Sequence, residues 1–413
     1  MPMRAFALCL LCSASSALAD PTPLTLNEAR RNAAEHNHDV LAAQDAVELA
    51  HGNTASTTEL PNPTVGLGYA RQRIAPLSFH DRSVSISQPI AISGRLGLAG
   101  QVGRANEAAA ESRLADALRT TDAALVKAYA EAVAANRSMA ALKETAQAYR
   151  HEAEIARKRQ AAGDLAEIEA ARILLAAESA ETDAGNAAIR TQAALVALET
   201  LMGTEHPQGK IVVADSLDDL RGACVKTYEL PDLPRPDVVA ARHEQDAAEA
   251  GVELEHANRW ADPSVSLAYD RNTQGPANTV GLAISIPIPL LNQNNGAIRS
   301  ARARATMAAN ELARVTAQHS ADLAASETAW RIAAQTELRH RETLLPAARK
   351  IAEAAQAAYD KGGIALIDYL ATTRDYNAER LAAIQSTRDL VAASADLAAA
   401  KGQTLPKLSP TTK

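Results

Sequence analysis

The chain has 413 residues, a formal charge of −7 and 47% hydrophobic residues, but only 3% aromatics. That balance excludes a disordered chain and argues against a nucleic-acid partner, which a basic surface would serve. It also argues against a large conventional core rich in Phe and Trp, and favours close-packed helices with small interfacial residues.

Residues 1–19 read as an export signal. Arg4 precedes the apolar run Ala5 to Leu11, and Ala17-Leu18-Ala19 fits a cleavage site before Asp20. A lipid anchor on Cys12 is not expected, because Leu11 stands where a small residue is wanted. Cys9 and Cys12 leave with the signal, so Cys224 has no intramolecular partner. Thr25 and Glu28 form a capping box for a helix from Leu26 to about Glu59, which Pro61 and Pro63 end. A strand follows over 64–73. Val65, Leu67 and Tyr69 share one face, and Thr64, Gly66, Gly68 and Ala70 the other. After a loop from Ile74 to His80 carrying Pro76, a second strand spans 82–92, with Val84, Ile86, Ile90 and Ile92 on its apolar face. Residues 96 to about 161 read as one helix roughly 100 Å long at ~1.5 Å per residue. Its seam steps by three and four through Leu125, Tyr129, Ala132, Asn136, Met139, Leu142, Ala146, Tyr149 and Ala153. A turn at Ala161 to Asp164 leads into a returning helix from Leu165 to Met202.

Residues 204–236 are rich in Pro and Gly and connect two halves, with a short strand expected at Ile211-Val212-Val213. The order then repeats. A helix runs from Pro236 to about His256, and a strand covers 264–271. A loop from Asn272 to Asn278 carries Gly275-Pro276. A strand over 279–290 alternates strictly, with Val280, Leu282, Ile284, Ile286, Ile288 and Leu290 on one side. Asn292 to Gly296 punctuates the chain before a helix from about 297 to 360, with a kink expected at Pro346. Lys361-Gly362-Gly363 turns into a last helix ending near Lys401-Gly402, and 404–413 reads as a disordered tail. Pro61 to Tyr69 matches Ala261 to Tyr269, and Pro89 matches Pro289, at an offset of 200. The chain is therefore two copies of one unit, 20–224 and 225–403. Pro89, Gly94, Pro289 and Gly296 are the expected strand-to-helix hinges, and Gly163 and Gly362 the tips of the two hairpins. Each tip puts a carboxylate six residues on, Glu169 and Asp368. Solvated charges at helix starts are the plain reading of both.

Four strands cannot close a barrel, since about eight are needed, so the chain must oligomerise or lay its strands on another surface. In a barrel the small face would line the lumen and the large face would meet lipid, with Tyr69 and Tyr269 as interfacial anchors. No later segment offers ~18 continuous apolar residues for a spanning helix. The ten histidines show no metal-ligand spacing, and no phosphate loop or nucleophile motif is present, so neither a catalytic centre nor a cofactor is expected.

Three segments together resemble the TolC-type outer membrane factor family: Pro61-Asn62-Pro63, Ile286 to Gly296, and Tyr359 to Asp368 around Gly362. The IPIPLLNQNNG wording is similar to the CzcC-like branch that serves heavy-metal efflux. The resemblance implies a mainly α fold with a small β part. It implies a homotrimer whose twelve strands form one outer-membrane barrel above a periplasmic helical tunnel. It also implies partners, namely a periplasmic adaptor, an inner-membrane pump of the resistance-nodulation-division type and outer-membrane lipid. The cargo implied is divalent heavy-metal cations, with organic compounds as the alternative and a coiled-coil adaptor as the rival of another class. By resemblance Asp368, Glu169 and Tyr359 belong to the tunnel gate. Ile364 stands where the family pattern has an Arg, and Ala371 where it often has a second Asp.

Overall fold

The computed structural model describes residues 23–74, 77–224, 227–272 and 278–406. The export signal, Pro76, Gly275-Pro276 and the tail from Lys407 lie outside the described residues. The capping box forms as expected at the start of α1 (Leu26–His36), with Glu28 accepting from the Thr25 backbone N–H at 2.9 Å. The helix expected to continue to Glu59 instead breaks at Asn37, whose ψ is 129°. Asn37 Oδ1 caps α2 (His38–Thr58) by accepting from the N–H of Asp39, while its Nδ2 donates to Leu201 O at 2.9 Å. A contact 164 residues away thus sets this boundary.

β1 (Thr64–Ile74) and β2 (Leu77–Pro89) form one hairpin, and β3 (Ser264–Asn272) and β4 (Asn278–Ser285) another; all four join in one antiparallel sheet ordered β1-β2-β3-β4. The strands differ from expectation at both ends. β2 already begins at Leu77, so the expected loop to His80 is mostly ladder. β2 stops at Pro89 and β4 at Ser285, short of Ile92 and Leu290. The partner strand runs out there, since Ser264 at the start of β3 pairs with both Pro89 and Ser285. Pro287 and Pro289 then lack the N–H that would extend a ladder. Ile286, Ile288, Leu290 and Leu291 nevertheless stay exposed below the sheet.

α3 (Arg95–Ala161) is one unbroken helix of 67 residues that packs on α4 (Glu167–Leu201). Ala-rich contacts between them bury Tyr149, Ala153, Ile173 and Ala177, whereas Asn136 of the expected seam is exposed. Around the middle, a second cluster gathers Leu26, Leu125, Tyr129, Leu198, Leu220, Cys224, Val391 and Leu405. Leu405 is therefore packed, contrary to the disordered tail expected from Thr404 onward. Tyr129 Oη lies 2.7 Å from Leu24 O and 2.9 Å from Asp215 Oδ2, which also accepts from the Leu26 N–H. The buried Glu199 carboxylate accepts from the backbone N–H of Gln208, Gly209 and Lys210, so its charge is met by three donors. In the connection the expected strand reduces to a single bridge between Leu24 and Val213. An unforeseen helix, α5 (Leu217–Cys224), follows it.

α6 (Pro236–Ala257) mirrors α2, and α7 (Asn295–Arg339) with α8 (Leu345–Asp360) mirrors α3. Between them His340–Leu344 forms a π-turn instead of a plain kink. Pro346 offers no N–H and crowds the carbonyl four residues back, and the wider turn absorbs that clash. His340 Nδ1 meets Glu379 Oε1 of α9 (Leu366–Ala400) at 2.5 Å across this turn. Trp330 is a packing residue, stacked on Tyr228 at 5.3 Å with its Nε1 donating to Ser394.

Candidate functional site

In its successive middle rows the sheet separates large apolar side chains from small ones. Val65, Ile86, Leu267 and Leu282 are direct partners in one row; Leu67, Val84, Tyr269 and Val280 form the next. All eight are exposed. The alternate rows hold Gly66, Ser85, Ala268 and Gly281, then Gly68, Ser83, Asp270 and Thr279. One face is thus large and apolar, the other small and polar. The repeat offset does not carry Tyr69 and Tyr269 into one row. Tyr69 lies opposite Arg82, whose partner on β3 is Arg271, so β3 is staggered by two residues against the repeat. Such a stagger accompanies strand tilt in a closing sheet. Tyr69 Oη lies 2.7 Å from Nδ1 of His80 and the rings stack.

The hinge below the sheet also falls differently from expectation. Gly94 takes φ 72°, but in the second copy the left-handed residue is Asn294 at φ 58°, and Gly296 lies within the first turn of α7. The Asn294 side chain donates to Glu255 O at 2.9 Å, which holds this backbone without a glycine. Arg259 of the preceding segment donates to Gln293 O, and Arg95 pairs with Asp262 at 2.5 Å across the two hinges.

At the far end the two tips share one geometry. Gly163 at φ 82° and Gly362 at φ 72° each close a turn whose N–H groups reach back to carbonyls at the helix end. Glu169 and Asp368 occupy the same place in the first turn of α4 and α9, donating backbone N–H to Ala166 O and Ala365 O. Asp368 is exposed, whereas Glu169 is half-buried. Tyr359 brings the two hairpins together. Its ring stacks on Tyr369 at 4.8 Å, nearly parallel, and Tyr369 Oη donates to Gln356 Oε1. Burial, with the negative charges of Glu152 and Glu169, holds the Tyr359 hydroxyl above the usual tyrosine range, against the opposing effect of Arg159. Tyr359, Tyr369, Glu152, Arg159 and Glu169 thus form one cluster. Asp368 is not among the charges that act on Tyr359 and Tyr369, and Ile364 is half-buried in the turn. Sequence reasoning did not find Tyr369, Glu152 or Arg159. The spacing of Tyr359 and Tyr369 across a tight turn was the available signal.

An alternating antiparallel sheet with an apolar outer face, set on helical hairpins this long, defines a class of outer-membrane channel. The profile of the outer membrane efflux protein family matches residues 29–204 and 233–403, and the chain belongs to that family. The chain is 28% identical over 230 residues to the cobalt-zinc-cadmium resistance protein CzcC of Cupriavidus metallidurans; the match covers 54% of this chain and 53% of that relative. Its match thus spans about half the length of that curated relative. Among solved structures, a membrane protein from Pseudomonas aeruginosa superposes with a TM-score of 0.77 at 18% identity, covering 91% of this chain and 92% of its own. The Campylobacter jejuni CmeC outer membrane channel gives 0.75 at 16% identity, covering 97% and 93%. The fold is therefore the one these two membrane proteins share. Among the described residues no helix is long and apolar enough to cross a membrane, which bears on helices alone.

Proposed function

We propose that three copies of this chain close their sheets into one twelve-stranded barrel in the outer membrane, continued below by a helical tunnel through the periplasm. The observation that carries this reading is the four-stranded sheet with two opposite faces and two free edges. β1 and β4 run in opposite senses, so β4 of one copy meets β1 of the next as an antiparallel pair. Cyclic repetition removes both edges and satisfies the backbone groups that lipid could not. Tyr69 and Tyr269 anchor the barrel at its outer boundary. The tips at Gly163 and Gly362 meet an adaptor and, through it, an inner-membrane pump, and Asp368 with Glu169 and Tyr359 lines the tunnel mouth. The cargo is divalent heavy-metal cations. Similarity to a cobalt-zinc-cadmium resistance protein supports that choice. A channel need not bind its cargo tightly, because the pump can select it.

The test is deletion of the gene followed by challenge with cobalt, zinc and cadmium salts, and separately with dyes and drugs. Metal sensitivity restored by the intact gene is expected. Sensitivity confined to organic compounds overturns the metal cargo but leaves the channel. A monodisperse monomer in mild detergent overturns the trimer.

A further inference from the structure

Above the apolar rows, the outward face of the sheet changes within one residue pair. The next row holds Tyr69, Arg82, Arg271 and Asn278, and beyond it Arg71 faces His80. Alternation sends the sequence neighbours Asp81 and Asp270 to the opposite, small-residue face. Arg71, Arg82 and Arg271 are exposed, and among the described residues none makes an ion pair or side-chain hydrogen bond. Arg82 and Arg271 are direct cross-strand partners. Like charges in that position repel and destabilise a sheet, and among the described residues no carboxylate on their own face relieves them.

We propose that Arg82 and Arg271, flanked by Arg71, bind the phosphate of a lipid headgroup at the membrane surface. This rests on the reading of the sheet as a lipid-facing barrel wall. Two adjacent guanidinium groups offer forked donors that match phosphate oxygens, and the bound anion removes their mutual repulsion. The apolar rows directly beneath, from Leu67, Val84 and Val280 downward, place acyl chains where the headgroup reaches the arginines. A free anion would gain only the upper half of this surface. Arginine is tolerated on the lipid face only near the interface, which fits its confinement to the last rows. In a trimer the arrangement recurs three times around the wall.

The experiment uses the full-length trimer in neutral detergent, with native mass spectrometry counting retained ligand. The probes are phosphatidic acid, diacylglycerol with the same acyl chains, and inorganic phosphate. Wild type is expected to retain phosphatidic acid over diacylglycerol. Arg82→Gln/Arg271→Gln should bind it about thirtyfold more weakly, each basic residue near an anionic surface contributing a factor of about five. Arg82→Lys/Arg271→Lys, which keeps the charge and loses the fork, should fall between them, and it carries the test if the glutamine variant does not assemble. Asp81→Asn/Asp270→Asn, altered on the other face, should bind as wild type does. Equal retention by wild type and both arginine variants overturns the proposal, as does equal retention of diacylglycerol. Inorganic phosphate bound as tightly as the lipid also overturns it, in favour of a soluble-anion site. Heat-modifiable migration in the outer-membrane fraction is scored in parallel. Normal insertion without phosphate preference sinks this inference alone, while wild type absent from that fraction sinks the barrel reading.

Discussion

Residues 281 and 282 are neighbours in β4 that point to opposite faces, and they allow the assignment of those faces to be tested with one substitution made twice. Leu282 is 72% exposed and sits in the row with Val65, Ile86 and Leu267, inside the apolar band. Gly281 lies on the small face, and a Cβ built there meets no atom within 4 Å. Leu282→Arg puts a guanidinium into hydrocarbon, at a cost of roughly 2–4 kcal/mol per copy near the bilayer midplane. Three copies in one trimer make that on the order of 6–12 kcal/mol, comparable with the ~5–15 kcal/mol net stability of a folded domain. Gly281→Arg introduces the same group into a water-filled lumen with room for it, and should cost near zero. The assay is the amount of heat-modifiable trimer in the outer-membrane fraction, with thermal dissociation in detergent as a second measure. Leu282→Arg is expected to abolish or strongly deplete trimer, while Gly281→Arg accumulates normally. Equal yields, or greater damage at Gly281, would refute the reasoning, because the apolar face would then not be the one that meets lipid.

The other predictions concern the two ends of the molecule. Gly275→Cys, in the connection between β3 and β4, should be labelled in intact cells by a membrane-impermeant thiol reagent; labelling only after permeabilisation reverses the topology. Gly362→Val should leave trimer levels normal and impair export, because an L side chain at φ 72° costs about 1–2 kcal/mol and distorts an otherwise open tip; undiminished export would show that this turn does not dock a partner. Asp368→Asn should lower cation selectivity and divalent-cation block in planar bilayers, since three exposed carboxylates around one axis make the mouth negative. Reversal potentials and block identical to wild type would remove Asp368 from the tunnel mouth.

Much of this architecture was legible because it follows from short-range rules. The alternation from Val280 to Ile284 fixes a strand and its two faces, and the long run without proline up to Pro207 fixes α3, even though Gly97, Gly100 and Gly103 lie near its start. The parts that were not legible depend on distant partners. Nothing local marks Asn37 as a helix boundary; the carbonyl of Leu201 does. Gly296 was expected at the strand-to-helix hinge, and the left-handed residue there is Asn294, whose side chain Glu255 holds. The end of β4 was set by where β3 begins, not by the hydrophobic pattern, which continues to Leu290. At the tips Gly163, Gly362, Glu169 and Asp368 were visible as a repeated motif. The contact of Tyr359 with the other hairpin was not, because it joins segments some two hundred positions apart.

Both described ends of the chain come together at the waist. Leu24 bridges to Val213 and packs, with Leu26, on the same core that buries Leu405. β1 leaves this region toward the sheet and β4 comes back to it, so the polypeptide makes only round trips through the sheet. A fusion partner or purification tag attached after Leu405 would therefore emerge beside the helices, on the same side as one attached before Leu24. Neither would need to be threaded past the sheet.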